Sequence, residues 1–399
     1  MFFEEDDNNF FIEIAHSQQF KMGEVVGGDA FISTMIKDEN RFVAVLSDGL
    51  GSGIRANVLS SLTASMAVNY RLQHRPLSDS MRSILDTLPV DPRKRIGYAT
   101  CSAAEIDLNG EAHLFEFDNP DFIIFRGNTC IEPRKKSIRL TTSQGDRVLL
   151  ESKIMLFKGD RIIMLSDGVT QSGLGSRSMP MGWERSMVID FIKNYLERHP
   201  DVSARELSKV VMQKALHNDL FEAKDDITCG VIYLRAPRRL LICTGPPFDP
   251  GNDKEMARIF DTYPGRRIVC GGTTAHILAR ELDRKVIGDG RQQVKTNLPT
   301  FARMEGAELV TEGILTLGHL ADLIQSYKEG YKPDNSPAGE ILKIIMDSDV
   351  IDFLMGTRIN EAHYDPSLPV EMEIRRNLIR RLKVVLERVF MNKVRIKYI

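Results

Sequence analysis

The sequence predicts an α+β sandwich, sheets inside and helices outside, followed by a smaller α/β domain. A chain of 399 residues with 42% apolar content exceeds one ordinary hydrophobic core, so two compact domains are expected. The first half groups its β-rich runs consecutively, which suits stacked sheets with helices on their outer faces. The second half alternates strand and helix, which suits a small parallel sheet.

In the first half, the runs at 31–36, 41–46, 99–106, 113–117, 122–126, 160–165 and 228–234 have the length and the β-branched or aromatic content of strands. Helical patterns lie between them at 52–73, 79–86, 183–198 and 203–220. The last opens with Ser203 three residues before Glu206, the spacing of a capping box. A proline and charges interrupt two apolar runs at Ala236-Pro237-Arg238-Arg239, which places a linker at 236–239 between domains at 1–235 and 240–399. Beyond it, strands are expected at 240–243, 267–270 and 308–310, and helices at 254–260, 274–282 and 317–327. Ile374, Leu378, Leu382, Leu386 and Phe390 recur at four-residue spacing, an apolar stripe expected to pack a last helix on that domain.

Composition narrows the function. A formal charge of −2 gives no global attraction to nucleic acid or anionic lipid, and no nucleic-acid motif is present. Five widely spaced cysteines (Cys101, Cys130, Cys229, Cys243 and Cys270) without a CxxC pair argue against a disulfide framework or a structural zinc site and fit a reducing compartment. The acidic, Phe-containing start from Met1 to Phe11 lacks the form of a signal peptide, and no apolar run approaches membrane-spanning length, so a cytoplasmic protein is expected.

Four acidic motifs stand at expected strand ends: Gly27-Gly28-Asp29-Ala30-Phe31, the run Ser47-Asp48-Gly49-Leu50-Gly51-Ser52-Gly53, Ser166-Asp167-Gly168, and Asp225-Asp226-Ile227-Thr228. One Asp-Gly after a strand is an ordinary turn. Four together can bring several hard oxygens, a backbone carbonyl among them, to one point, which is what Mg²⁺ or Mn²⁺ requires.

In this order, across residues 10–235, the four motifs resemble the metal-dependent protein phosphatase (type 2C) family. The glycine-rich loop running directly into a helix is similar to its bacterial branch, the SpoIIE and RsbU-like serine phosphatases. The resemblance implies an α-β-β-α phosphatase sandwich holding two Mn²⁺ or Mg²⁺ ions. It implies that Asp48 bridges them, that the Gly49 carbonyl supports one, and that Asp29, Asp167 and Asp225 complete the cluster, with Asp226 the alternative to Asp225. Asp48 and Asp29 are the implied catalytic pair. The implied substrate is phosphoserine or phosphothreonine on a regulatory protein, attacked by a metal-activated water. The sequence departs from the family at Leu50, where many eukaryotic members place a histidine, and at Ser52, where some bacterial relatives do; the general acid is left unassigned. His16 reads as a partly buried strand residue, and the helix carrying Asn57, Ser60, Ser61 and Ser65 reads as a solvated polar face or, as the resemblance implies, as the region that acts as a switch in bacterial relatives.

In the second domain, the segment from Arg267 to His276 reads as strand, glycine turn and helix. Gly271, Gly272, Thr273 and Thr274 there offer backbone N–H groups and a positive helix end to a small anionic ligand, or form a structural turn. A similar pattern at 241–247 suggests that Cys243 and Cys270 lie close together. The basic residues after Glu371 read as a solvated helix face, or as a docking surface for an acidic partner. A homo-oligomer is compatible with the sequence. The competing readings are a catalytically weak scaffold that keeps the fold for binding and a phosphatase of a small phosphoester, since two-metal chemistry does not choose the leaving group.

Overall fold

The computed structural model describes residues 10–89, 99–143, 145–288, 301–327, 333–358, 371–390 and 392–399, so the acidic start before residue 10 lies outside it. The chain divides into two compact units, one reaching Ala236 and the other running from Pro237 to Ile399. Among the described residues, no helix is long and apolar enough to cross a membrane.

The first unit runs β1 (Phe11–Gln19), β2 (Asp29–Ile36), β3 (Arg41–Asp48), α1 (Gly53–Leu72), α2 (Leu77–Thr87), β4 (Cys101–Asp107), β5 (Glu111–Phe117), β6 (Ile123–Arg126), β7 (Thr129–Ile131), β8 (Lys135–Thr142), β9 (Gly145–Met155), β10 (Arg161–Leu165), α3 (Asp167–Thr170), α4 (Arg185–Arg198), α5 (Ala204–Asn218) and β11 (Ile227–Arg235). Two sheets form, ordered β1-β11-β10-β6-β7 and β2-β3-β4-β5-β9-β8. Alternation along the strands sends one set of side chains between the sheets, where Leu46, Ile106, Leu114, Ile124, Met164 and Ile232 are buried together. The other set of side chains meets helices. Val43, Val45 and Phe117 pack under α1 and α2, and Ile163, Cys229 and Val231 pack under α4 and α5. The layers are therefore α-β-β-α.

Every strand and helix expected in the first unit forms, and Ser203 caps α5 by accepting the Glu206 N–H at 3.1 Å. Strand β1 forms around His16, the one residue of it read as strand, and β7, β8 and β9 are additional to the expected strands. β8 carries exposed or half-buried polar residues along most of its length, so its pattern resembles a surface loop until β9 pairs with it.

The second unit runs β12 (Arg239–Thr244), α6 (Asp253–Thr262), β13 (Arg266–Cys270), α7 (Gly272–Glu281), β14 (Val286–Gly288), β15 (Ala302–Met304), β16 (Ala307–Thr311), α8 (Ile314–Gln325), α9 (Pro337–Met346), β17 (Val350–Met355), α10 (Glu371–Val389) and β18 (Lys393–Tyr398). Its sheet is ordered β14-β15-β16-β13-β12-β17-β18, parallel from β16 to β18 with an antiparallel edge. Helices α6 and α7 cover one face; α8, α9 and α10 cover the other. Cys243 and Cys270 are both buried, but they point to opposite faces, because Cys243 is level with Val269.

The expected stripe on α10 is corrected at its start. Leu382 and Leu386 are fully buried, but Ile374 is 40% exposed and Ile379 takes the inward position. A four-residue repeat overshoots the 3.6-residue turn by about 40° per step, so five such positions cannot all face one sheet. Leu382→Ala is accordingly expected to lower unfolding stability by about 2–5 kcal/mol, and Ile374→Ala to change it little. Urea unfolding of the two variants checks this, and equal losses would contradict the assignment.

Candidate metal centre

Antiparallel pairing of β2 with β3 sets Asp29 directly opposite Asp48 at the open end of the pair. Side chains opposite each other on neighbouring strands have Cβ atoms about 5 Å apart, and like charges there repel. Asp167 opens α3 just beyond β10, and Asp225 lies two residues before β11. All three other aspartates act electrostatically on Asp48, and the Asp167 carboxyl is close enough to share a hydrogen bond with it. Chain ends from both sheets thus bring Asp29, Asp48, Asp167 and Asp225 to one region.

Glycine allows the approach. A Cβ on Gly49 would overlap the Ala56 carbonyl in the first turn of α1, and a Cβ on Gly168 would overlap the Asp226 carbonyl. Asn57 adds a tie by donating from Nδ2 to the Gly27 carbonyl at 2.8 Å. The Asp48 end of β3 is fixed by residues that carry no sequence signal. Thr100 Oγ1 accepts the Asp48 N–H at 2.9 Å and donates to Asn119 Oδ1 at 2.6 Å, while Asn119 Nδ2 donates to the Leu46 carbonyl at 3.2 Å. Thr100 and Asn119 reach β3 only through the fold, so spacing could not reveal them. Ser166, beside Asp167, accepts the Thr228 N–H at 2.9 Å and joins β10 to β11.

The adjacent Asp225 and Asp226 differ in what they touch. Asp226 is buried, and its two oxygens accept the N–H groups of Lys21 at 3.0 Å and Gly28 at 2.7 Å. Its carboxylate fastens the first loop to the last. Asp225 is half-buried, with one oxygen accepting the Asp226 N–H at 3.0 Å. Burial raises its pKa, with Asp167 and Asp226 adding to the rise.

Asp29 is 4% exposed, and neither carboxylate oxygen has a hydrogen-bond partner among the described residues; the Thr228 hydroxyl nearby makes no well-formed bond either. Burial raises Asp29 to about 7, opposed by the Thr228 and Ser166 hydroxyls. Burial and the Asp29, Asp167 and Asp225 charges raise Asp48 to about 9. The four aspartates are gathered but not drawn onto a common point: among the described residues, no group of three or more His, Cys, Asp or Glu side chains stands ready to hold a metal. The donor set nevertheless fits a hard divalent cation. It is all oxygen, and it includes a buried carboxylate with no other partner. His16 stacks on Phe31 with ring centroids 4.7 Å apart, and burial lowers its pKa.

The aspartates are not part of the cavity of about 890 Å³ in the second unit, where Arg266, Arg267, Arg284, Lys285 and Arg303 line a hollow with Asp283, Glu305 and Glu308. Its lining offers cations and their counter-charges but no gathered acidic ligands. The side-chain chemistry, and not the volume, locates the candidate centre.

A layered α-β-β-α sandwich with acidic residues at its strand ends is the architecture of a metal-dependent phosphatase domain. Residues 38–235 match the family model described as Stage II sporulation protein E (SpoIIE), and the first unit belongs to that family. Asp48, Asp167 and Asp225 fall inside the match; Asp29 precedes it, and its place in the group rests on its register with Asp48. The chain is 23% identical over 218 residues to the Stage II sporulation protein E of Bacillus subtilis (strain 168), a stretch covering 54% of this chain and 24% of that protein. It is similar to the solved PP2C phosphatase domain, with a fragment of the regulatory domain, of SpoIIE from Bacillus subtilis, at 19% identity, 57% of this chain, 62% of that one and a TM-score of 0.46. Another similar structure contains the RsbU and RsbW domains of a Mycobacterium tuberculosis protein, at 17% identity, 62% of this chain, 67% of that one and a TM-score of 0.43. These structural likenesses are partial; membership follows from the family match.

The raised carboxyl groups set a pH dependence. In the folded, metal-free chain, Asp29 and Asp48 hold protons more tightly than in the unfolded chain, where their ordinary value is 3.8. Their contribution to stability is complete below that value and is lost as pH rises through about 7 and about 9. Metal-stripped protein should therefore melt at progressively lower temperature as pH climbs from about 6 to about 9, and Asp48→Asn should flatten the decline. Thermal melts in chelator across that range would show it. A decline equally steep in the variant would remove Asp48 as its source.

Proposed function

We propose that the chain is a metal-dependent protein serine/threonine phosphatase that hydrolyses phosphoserine or phosphothreonine on a regulatory protein. The observation that carries this is the meeting of Asp29 and Asp48 across β2 and β3 with Asp167 and Asp225 beside them. Asp48, on which the other three act electrostatically, would be the ligand shared by both ions; Asp29, Asp167 and Asp225 would complete the set, with the Gly49 carbonyl as a further donor. Two Mn²⁺ or Mg²⁺ ions held there would lower the pKa of a shared water and neutralise charge on the phosphoryl oxygens. The chain's own contribution is placement: Thr100 and Asn119 fix the end of β3, and Asp226 and Ser166 fix the loops that carry Asp29, Asp167 and Asp225.

Two features favour this reading over its rivals. A scaffold kept only for binding gains nothing from a buried carboxylate without partners, which is costly to maintain. A small phosphoester needs an enclosing pocket, whereas Val25 (89%), Ile54 (73%) and Val58 (44%) stand exposed in the loop and helix that adjoin the aspartates. Exposed apolar surface of that kind suits a macromolecular substrate.

Asp48→Asn is expected to lower the turnover of a phosphoserine protein by ~100-fold or more in Mn²⁺, because the lost carboxylate weakens the hold on both cations. Activity that survives exhaustive chelation, or a folded and fully active Asp48→Asn protein, would overturn the assignment. Turnover of a small aryl phosphate well above that of every phosphoprotein tested would favour the small-ester reading.

The neighbouring acids should separate by readout. Asp225→Asn is expected to weaken Mn²⁺ binding measured by calorimetry while leaving the fold intact. Asp226→Ala should instead lower stability by about 1–3 kcal/mol, because the Lys21 and Gly28 amides lose their acceptor. If the two outcomes are exchanged, the ligand is Asp226.

A further inference from the structure

The carboxyl edge of the sheet in the second unit brings two helix starts together. Strands β12, β13 and β16 end level, since Thr244 is in register with Cys270 and Cys270 with Thr311. Helix α7 begins after Gly271 and helix α8 after Gly313, and neither has a side-chain cap. The two glycines touch: a Cβ on Gly313 would lie 3.5 Å from the Gly271 Cα, and Gly271 itself has φ 131°. The helices approach this point from opposite faces of the sheet, α7 on the side of Leu241 and Cys243 and α8 on the side of Leu240 and Ile242.

The first intrahelical bonds run from the Ala275 N–H to the Gly271 carbonyl at 2.9 Å and from the Leu317 N–H to the Gly313 carbonyl at 3.2 Å. The amides of residues 272–274 and 314–316 come before those bonds and have no acceptor among the described residues. Each helix also places a threonine at its third position. Thr274 and Thr316 are each 1% exposed, and the hydroxyl of each lacks a partner. Thr244, fully buried at the end of β12, has an unpartnered hydroxyl as well. Helical side chains lean toward the N-terminus, and Thr274 Oγ1 lies 3.3 Å from where a Gly271 Cβ would be, so it is aimed at the junction of the two caps. Gly272 and Thr273 are exposed, which leaves the junction open to solvent.

Doubly wound sheets commonly bind ligands where the strand order reverses, here between β12 and β17. That position is filled by backbone. The Gly356 N–H donates to the Thr244 carbonyl at 2.9 Å, and a Cβ on Gly356 would overlap the Pro246 carbonyl. The β13 and β16 ends remain available.

We propose that the paired starts of α7 and α8 form a binding site for a phosphoryl group, presented by free phosphate or by a nucleotide. Amides from two helices and the buried hydroxyl of Thr274 meet at the junction, and Thr316 holds the same third position on α8 with its hydroxyl unpartnered, a donor set that suits the tetrahedral oxygens of phosphate better than a planar carboxylate. The exposed Glu312 opposes anions at the surface, so only a group seated against the amides gains from them. The site is independent of the phosphatase reading.

The test uses the full chain carrying Asp48→Asn in chelator, so that the aspartate centre does not take up phosphate. Inorganic phosphate, AMP and adenosine are titrated by calorimetry. Thr274→Val and Thr316→Val are each expected to weaken phosphate binding about tenfold, and Thr274→Ser and Thr316→Ser to retain it. Thr273→Asp, at an exposed position, keeps the helix start stable while its carboxylate competes for the amides, and it is expected to abolish binding even if the valine variants fail to fold. AMP binding more tightly than phosphate would assign a nucleotide, and equal affinity would assign free phosphate. Adenosine binding as well as AMP, no binding of phosphate or AMP, or an unchanged affinity in Thr273→Asp would overturn the proposal.

Discussion

Two acidic side chains largely buried together at a strand end set the terms for the rest of the first unit. Asp29 and Asp48 face each other across β2 and β3, and the cost of burying them, which raises both toward the protonated form, has to be outweighed by packing elsewhere. Packing is ample there: Ala44, Leu46, Ala104 and Ile106 are buried between the sheets, and α1 lies against β2 and β3 on the outside. The acidic pair is confined to the first residue of β2 and the last of β3, away from the packed middle of both strands.

Side chains next to the aspartates tie together the segments that carry them. Asp226 joins the first loop to the last through two backbone amides, Ser166 joins β10 to β11, and Thr100 with Asn119 holds the end of β3. None of these side chains needs to touch a substrate. Their effect is to fix the backbone segments that carry the four carboxyl groups.

The same economy of backbone appears in the second unit. Glycine at Gly271 and Gly313 lets two helix starts approach to contact distance, as Gly49 and Gly168 let loops approach in the first. Glycine is used in both units where one backbone must lie against another, and in both it leaves polar groups pointing at open space.

Much of this was legible in the sequence. Consecutive strand runs, the Ser203–Glu206 cap and four acidic motifs are local patterns, and local patterns survive without tertiary context. The strands β8 and β9 are not legible in the sequence because their polar residues lie on a surface face whose pairing partner is not evident from either strand alone. The α10 stripe departs from its expected start because repetition at four residues is close to, but not equal to, a helical turn. The sequence by itself determined which residue types stand at the strand ends, because Asp-Gly runs after apolar strands are local patterns of hard oxygens and tight turns. Only the tertiary structure decided which of Asp225 and Asp226 is tied to backbone amides, that Thr100 and Asn119 support β3, and that α8 begins against α7. Each depends on contacts between segments far apart in the chain, and spacing along a sequence carries no record of distance across a fold.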